Sequence, residues 1–513
     1  MMQSRRKWTT KDFGFFLLIA TAVFIIALML FTTQEMRPVT ASRIEDCEAR
    51  LATIANKFDY TEMITVSRKV GPLNVQTILG AHKQRVSSMK QYSDRISMLE
   101  NREMVYSVSL FFIVCLLLVG AFFQNIKSAS FERVTSPGAK AKTYRYYPFF
   151  STPLCAVCLL LTIGVTYRFI FSWETFDFLM LVSSVAIGII AFLVYRKTPY
   201  IAARLAKKDL PNTNLTCGDV WFLLPAAGVL LLLIVNILFG VTINGAKLWV
   251  NFFGISIQPG EFIKVLLAIL FATAYGKLWR AITAFSVSAI SILGLLFLRD
   301  MGTAIVIFSM VMVMLFLLLD NKMTFSLYKH KYLLIIVSVM AVCLFFVALS
   351  LFPYAKERFD QRGGAMTNPG QEQQAAMLKA LVLGGLGGLG LENSTHIINI
   401  FAIENDMALA GLTAVFGYGM LLIVSLCYAL LVVIPLRKHA VYREFYFVSA
   451  QIAVVLTVQV LLNALGAVDI LPFTGIVAPF ISDGGSALMS FCAMMGILLA
   501  TLHPAIKPLE VNS

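Results

Sequence analysis

Twelve apolar runs, each about the length of a bilayer-spanning helix, constrain this chain more than any other feature. A bilayer core about 30 Å thick needs roughly 20 apolar residues per helix. The runs lie near 14–31, 105–123, 150–172, 175–195, 219–241 and 261–276, then 282–298, 303–319, 332–352, 407–435, 445–465 and 486–503. Composition agrees: 58% of the 513 residues are hydrophobic, only 14% are charged, and the mean hydropathy is +0.80. A soluble domain carries roughly a quarter charged residues, so a string of soluble domains is excluded. The chain reads as an all-α polytopic membrane protein with about 12 transmembrane helices. The first run follows Arg5, Arg6 and Lys7, but it is long for a secretory signal and no small-residue cleavage site follows it, so a retained anchor is expected.

The net charge of +14 is mostly a topology signal. With the N-terminus in the cytoplasm, the inside segments hold 23 Lys and Arg, and the outside loops after residue 149 hold seven. The segment 32–104 holds eleven more, but long translocated segments escape that rule. Both termini are therefore expected on the cytoplasmic side. The bases are spread along the chain rather than gathered on one surface, which argues against nucleic acid as a partner. Of the eight cysteines, seven lie in or beside apolar runs and only Cys47 sits in a long polar segment. Their spacing matches neither a zinc site nor a disulfide framework.

Two outside segments are large. Residues 32–104 mix charges with apolar residues at helical spacing, as in Ile44, Leu51, Ile54 and Ala55, or Ile96, Met98 and Leu99. That pattern predicts a small helical ectodomain between the first two membrane helices, either a solvated hairpin or a partner-docking element. Residues 353–402 form the second segment, rich in Gly, Gln and Asn, and a loop of such length between membrane helices is usually functional.

Four stretches near the outer face carry the polar chemistry. The first runs from Gly245-Ala246-Lys247-Leu248-Trp249-Val250 to Gln258-Pro259-Gly260-Glu261 and Lys264. Glu261 and Lys264 are three residues apart at a helix start, so they can face each other. Ionisable groups at such depth are expensive and suggest function, with a structural ion pair as the plain alternative. The second is Arg299-Asp300-Met301-Gly302-Thr303-Ala304, where Asp300 can cap a helix N-terminus and Arg299 can attract phosphate or pair with Asp300. The third is the long loop, with Tyr354, Lys356, Glu357, Arg358, Asp360 and Arg362, then Asn368-Pro369-Gly370-Gln371-Glu372-Gln373, a glycine-rich run over 384–390, and Asn405-Asp406. That glycine run lacks the Lys and Ser/Thr of a nucleotide-binding loop. The fourth is Asn463 and then 471–486, with Pro472, Thr474, Gly475, Pro479, Ser482, Asp483, Gly484, Gly485 and Ser486. It reads as a broken, re-entrant segment, which membrane proteins tolerate only where backbone is buried in protein or lines a cavity.

In this order the stretches resemble the SEDS family of cell-shape, division and sporulation membrane proteins, the FtsW/RodA/SpoVE group. The family's G-A-x-x-W-[IV] and Q-P-S-E-x-x-K segments look like Gly245 to Val250 and Gln258-Pro259-Gly260-Glu261 with Lys264. Its P-D-x-G-T-A corner resembles Arg299 to Ala304. Its T-G-x-x-x-P-F-x-S-y-G-G-S segment matches Thr474-Gly475, Pro479-Phe480, Ser482 and Gly484-Gly485-Ser486. The resemblance covers roughly 150–505. It implies a SEDS-like ten-helix membrane domain over 150–513, with 353–402 as its large extracytoplasmic loop. Residues 1–149 would be an added two-helix hairpin, its helices near 14–31 and 105–123 flanking 32–104.

The resemblance further implies a peptidoglycan glycosyltransferase that polymerises lipid II at the outer face of a bacterial cytoplasmic membrane, in division or cell-shape control. The expected partners are a class B penicillin-binding protein with transpeptidase activity and other division or elongation proteins. On that reading Lys264, Arg299, Lys356 and Arg358 hold pyrophosphate. Glu261, Trp249, Gln258, Thr474, Ser482 and Ser486 complete the substrate surface. Asp360 or Glu372 serves as base, with Asp300 and Asp406 in support. A divalent cation, Mg or Mn, suits pyrophosphate chemistry, but no ligand spacing demonstrates one. The sequence departs from the family at three places. The loop has no Asp at the position where the family carries one before a Tyr-Gln pair; Ala414-Val415-Phe416-Gly417 stands where the family has a Glu pair; and Asp483 replaces a Tyr. Two further readings follow: a non-catalytic scaffold that recruits a transpeptidase or division proteins, and a lipid II flippase with Glu261, Lys264 and 472–486 along its path.

Overall fold

The computed structural model describes residues 10–56, 101–120, 151–171, 178–205, 217–243, 245–252, 255–274, 278–318, 372–391, 403–438 and 443–502, with isolated positions between 87 and 99, at 332, 336, 339, 356 and 360, and at 397 and 400. Its main helices, in chain order, are α1 (Thr10–Asn56), α2 (Asn101–Gly120), α3 (Ser151–Phe171), α4 (Phe178–Leu205), α5 (Cys217–Phe239), α6 (Pro259–Ala274), α7 (Leu278–Phe297), α8 (Met301–Leu318), α9 (Glu372–Gly384), α10 (Ala408–Phe416), α11 (Tyr418–Lys438), α12 (Arg443–Ala467) and α13 (Gly485–Leu502). Ten helices among the described residues are long and apolar enough to cross a membrane. The run expected at 261–276 is α6, a helix of 16 residues that is shorter than the ten spans and buried along most of its length. The run expected at 332–352 lies largely outside the described residues.

Lipid solvates the periphery and protein solvates the centre. Burial covers 89% of the α3 span and 78% of the α13 span, but only 28% of the spans in α4, α5 and α11. The peripheral helices expose Leu193, Leu231 and Leu422, as a lipid-facing surface requires. Helix α4 packs closely on α13, where a Cβ on Gly188 would come within 2.7 Å of the Cys492 carbonyl and one on Gly496 within 2.0 Å of the Gly188 carbonyl. Small residues at a crossing let two backbones approach, the usual route to helix association in lipid.

Three features differ from the sequence reading. First, the run at 14–31 is part of one helix, α1, of 47 residues, with Pro38 inside it. At 1.5 Å per residue that helix is about 70 Å long, over twice the bilayer core, so helical spacing simply continues past the apolar run. Second, 407–435 is two helices. Gly417 has φ 79°, and a Cβ there would lie 2.1 Å from the Leu386 carbonyl, so the glycine-rich stretch after α9 crosses the chain at that point. Backbone bonds from Leu389 N to Ala414 O (2.9 Å) and Gly390 N to Val415 O (3.0 Å) fill the crossing. Third, the otherwise helical chain carries a three-stranded antiparallel sheet: β1 (Val241–Ile243), β2 (Ala246–Phe252) and β3 (Ile255–Ile257), in the order β1-β2-β3. Val241 opposes Trp249, and Val250 opposes Ile257.

Candidate functional site

The first cluster forms where α6 begins beneath the α7–α8 corner. Glu261 and Lys264 meet at 2.7 Å, and both side chains are buried. Ser490 of α13 donates to the second Glu261 oxygen at 3.1 Å, so the pair also ties α6 to α13. Asp300 is buried and caps α8: its Oδ1 accepts Thr303 N–H at 2.9 Å, and Oδ2 lies 3.5 Å from Gln258 Nε2. Burial pushes the Asp300 carboxyl above the ordinary carboxylate range, against the opposing pull of the Thr303 bonds and Lys264. Arg299 precedes it with φ 66°, a left-handed conformation that a non-glycine residue adopts only under constraint. The constraint is the end of α7: Arg299 N donates to Leu296 O at 3.1 Å and Asp300 N to Leu295 O at 2.8 Å, a Schellman cap with Arg299 at its left-handed position. The sheet is tied to the same corner, where Lys247 N donates to Leu298 O at 3.0 Å, and to the end of α5, where Lys247 Nζ donates to Ile237 O at 2.5 Å. Arg299 lies exposed over the Gly245 turn, and Trp249 is half-buried in β2.

The second cluster is the irregular segment between α12 and α13. Most of residues 472–482 are buried without regular structure, as a broken segment at membrane depth demands. Asn463 organises it: its Nδ2 donates to Asp406 O at 2.9 Å and Ile476 O at 2.8 Å, and its Oδ1 accepts from Leu409 N at 3.3 Å. Ser482 Oγ accepts from Ala478 N at 2.7 Å and donates to Asn405 O at 2.5 Å. Tyr428 donates to Pro479 O at 2.5 Å. From α3, Tyr167 donates to Ile403 O at 2.6 Å, and Arg168 donates to Ser482 O at 2.9 Å with Asp483 at 3.8 Å. The Thr474 and Ser486 hydroxyls are buried with no hydrogen-bond partner among the described residues.

The two clusters adjoin. A Cβ on Gly302, in the first turn of α8, would lie 2.5 Å from Ile476 and 3.2 Å from Thr474 O, and one on Gly475 would lie 3.7 Å from Asp406 Oδ2. Gln258, Glu261, Lys264 and Asp300 are therefore one group, Asp406, Thr474 and Ser482 a second, and the 474–476 stretch joins them. Lys356, Asp360 and Glu372 are exposed, and no hydrogen bond or ion pair joins them to the described residues of either cluster. Arg358 lies outside the described residues. Sequence reasoning missed Ser490, Tyr167 and Arg168. Arg168 offered one signal, a charge at the end of an otherwise apolar run; Ser490 and Tyr167 offered none. Among the described residues no three His, Cys, Asp or Glu side chains come together as a metal-ligand group.

Residues 150–505 match the profile of the FtsW/RodA/SpoVE family, described as cell cycle proteins. The chain belongs to the FtsW/RodA/SpoVE family. It is 27% identical over 290 residues to the peptidoglycan glycosyltransferase RodA of Mycobacterium leprae, a match that covers 52% of this chain and 60% of that protein. It is 27% identical over 278 residues to the stage V sporulation protein E of Bacillus subtilis, covering 51% of this chain and 72% of that one. A chain solved within a peptidoglycan synthase complex superposes with a TM-score of 0.50 at 20% identity, covering 68% of this chain and 96% of that chain. That likeness is one of fold. The chain thus matches about three-fifths of the length of its mycobacterial relative, and it is a multi-pass bacterial membrane protein.

Proposed function

We propose that this family member is a peptidoglycan glycosyltransferase that polymerises lipid II at the outer face of the cytoplasmic membrane, with both termini on the cytoplasmic side. One observation carries the reading. The first turn of α8, through Gly302, and Asp406 meet the irregular segment at 474–476, in which Thr474 and Ile476 are buried, and the same corner holds the fully buried Glu261–Lys264 pair. Such irregular backbone survives at membrane depth when it is enclosed by protein or serves a ligand. The names of the relatives point the same way.

The reaction joins two lipid-linked saccharides. A sugar hydroxyl of the acceptor attacks the anomeric carbon of the donor, the bond to pyrophosphate breaks, the lipid pyrophosphate leaves with the electron pair, and a base takes the hydroxyl proton. Glu261 is committed to Lys264 and Ser490, and Asp300 to its cap, so both serve structure and local electrostatics. Of the candidate bases read from the sequence, Asp360 and Glu372 are exposed and Asp406 is half-buried, so all three are open to a substrate. In this reading the pyrophosphate is held by Arg299 and Lys356, both of which are exposed, and the partner is a class B penicillin-binding protein.

The test is polymerisation of lipid II by the purified full chain in liposomes, with Asp360→Ala, Glu372→Ala and Asp406→Asn compared as folded proteins. Loss of at least 100-fold in one of the three, on the order of what a positioned base contributes, identifies the base. Equal activity in all three removes the base assignment. Lipid II binding without any product in wild type favours the scaffold.

A further inference from the structure

Two buried arginines of the N-terminal hairpin reach the same turn of α3 that holds the candidate site. Arg43 of α1 and Arg102 of α2 are 6% and 3% exposed. Charges in that position are expensive and rarely idle. Arg43 Nη2 donates to Ile170 O at 3.0 Å; Arg102 Nη2 donates to Phe169 O and, at 3.3 Å, to Arg168 O. The last carbonyls of any helix lack intrahelical partners, and cationic side chains satisfy them well. Aromatic contacts fix the same turn: the Tyr106 ring stacks on Phe169 at 4.2 Å, its hydroxyl lies 3.1 Å from Thr166 Oγ1, and the Arg102 guanidinium lies 5.2 Å over the Phe169 ring.

The opposite side of that turn grips the site. Tyr167 holds Ile403 O, and Arg168 holds Ser482 O. The two held segments are bonded to each other through Asp483 N and Glu404 O at 2.9 Å. Glu404 also attracts both Arg43 and Arg102 electrostatically, so the hairpin acts on the 403–406 turn directly as well as through α3.

We propose that Arg43 and Arg102 are positioning residues: the hairpin clamps the end of α3, and through Tyr167 and Arg168 that clamp sets the 403–406 turn carrying Asp406 and the 478–483 segment carrying Ser482. The consequence for turnover rests on the glycosyltransferase reading; the positioning itself does not. A staple that merely retained the hairpin would leave the site segments unchanged when cut.

The experiment is hydrogen exchange on the full chain in detergent, followed by lipid II polymerisation on the same preparations. Arg102→Ala and Arg43→Ala are compared with Arg102→Lys and with Arg37→Ala. Arg37 pairs with Glu103 on the exposed side of the hairpin and serves as the control. The clamp gives at least threefold faster exchange over 403–409 and 478–488 in both alanine variants, no change over 259–274, and wild-type behaviour in Arg37→Ala. Arg102→Lys keeps a cationic donor and recovers most of the protection. Turnover falls at least tenfold in Arg102→Ala and is restored within about threefold by Arg102→Lys. Unchanged exchange in the two site segments overturns the proposal, as does faster exchange with wild-type turnover. If Arg102→Ala does not fold, Arg43→Ala and Arg102→Lys carry the same comparison. If wild type makes no polymer, the glycosyltransferase reading fails while the exchange pattern still decides the clamp.

Discussion

At the scale of single residues, burial turns ordinary polar groups into commitments. Lys264 is 0% exposed and Glu261 2%, at 2.7 Å from each other. Removing one partner leaves an uncompensated charge, a loss of about 3–5 kcal/mol. Lys264→Ala is therefore expected to lower the melting temperature in detergent steeply, while the double change Glu261→Gln with Lys264→Met stays close to wild type. Asn463 is the equivalent for neutral groups. Asn463→Ala frees Asp406 O, Ile476 O and Leu409 N at once, and each buried orphan costs about 1–3 kcal/mol. Thermal unfolding checks both, and an Asn463→Ala protein as stable as wild type would remove Asn463 as the organiser of the segment. The Glu261–Lys264 contact was legible because both residues lie on one helix three positions apart. Ser490 was not, since a serine in an apolar helix gives no sign of a partner more than two hundred residues away. Asp300 was legible as a cap from its place before Met301, and the structure gives it that bond.

At the scale of elements, hydropathy located the membrane helices but not their interruptions. The run 407–435 is apolar throughout, and nothing in a window average marks Gly417. The break comes from a backbone crossing with residues 385–390, far away in sequence. Gly417→Val places a branched side chain at φ 79° against the Leu386 carbonyl, and strain plus overpacking are expected to remove at least about 2 kcal/mol. Gly496→Leu does the same to the α4–α13 crossing; the yield of monodisperse protein in detergent reads both. The short sheet was missed for a related reason. Its strands are three, seven and three residues long, too short for alternation to stand out beside apolar helices. The length of the 353–402 segment led to the expectation that it is functional; among its described residues Lys356, Asp360 and Glu372 are exposed, with no hydrogen bond or ion pair to the buried clusters.

At the scale of the whole molecule, the buried clusters lie in a membrane domain with helices α1 and α2 fastened to it, and the charge count predicts that this site faces outward. The topology is testable by itself. Ile470, 61% exposed beside the irregular segment, is expected on the outer side. An Ile470→Cys variant in a background without other reactive cysteines reacts with a membrane-impermeant maleimide in spheroplasts, and protection until lysis reverses the orientation. Polymerisation is read from the glycan product formed from lipid II by the purified wild-type chain in liposomes, with and without a class B penicillin-binding protein. Glycan strands with matching release of lipid pyrophosphate are the expected product. Intact lipid II in a folded preparation that binds both the substrate and the partner would contradict the glycosyltransferase reading.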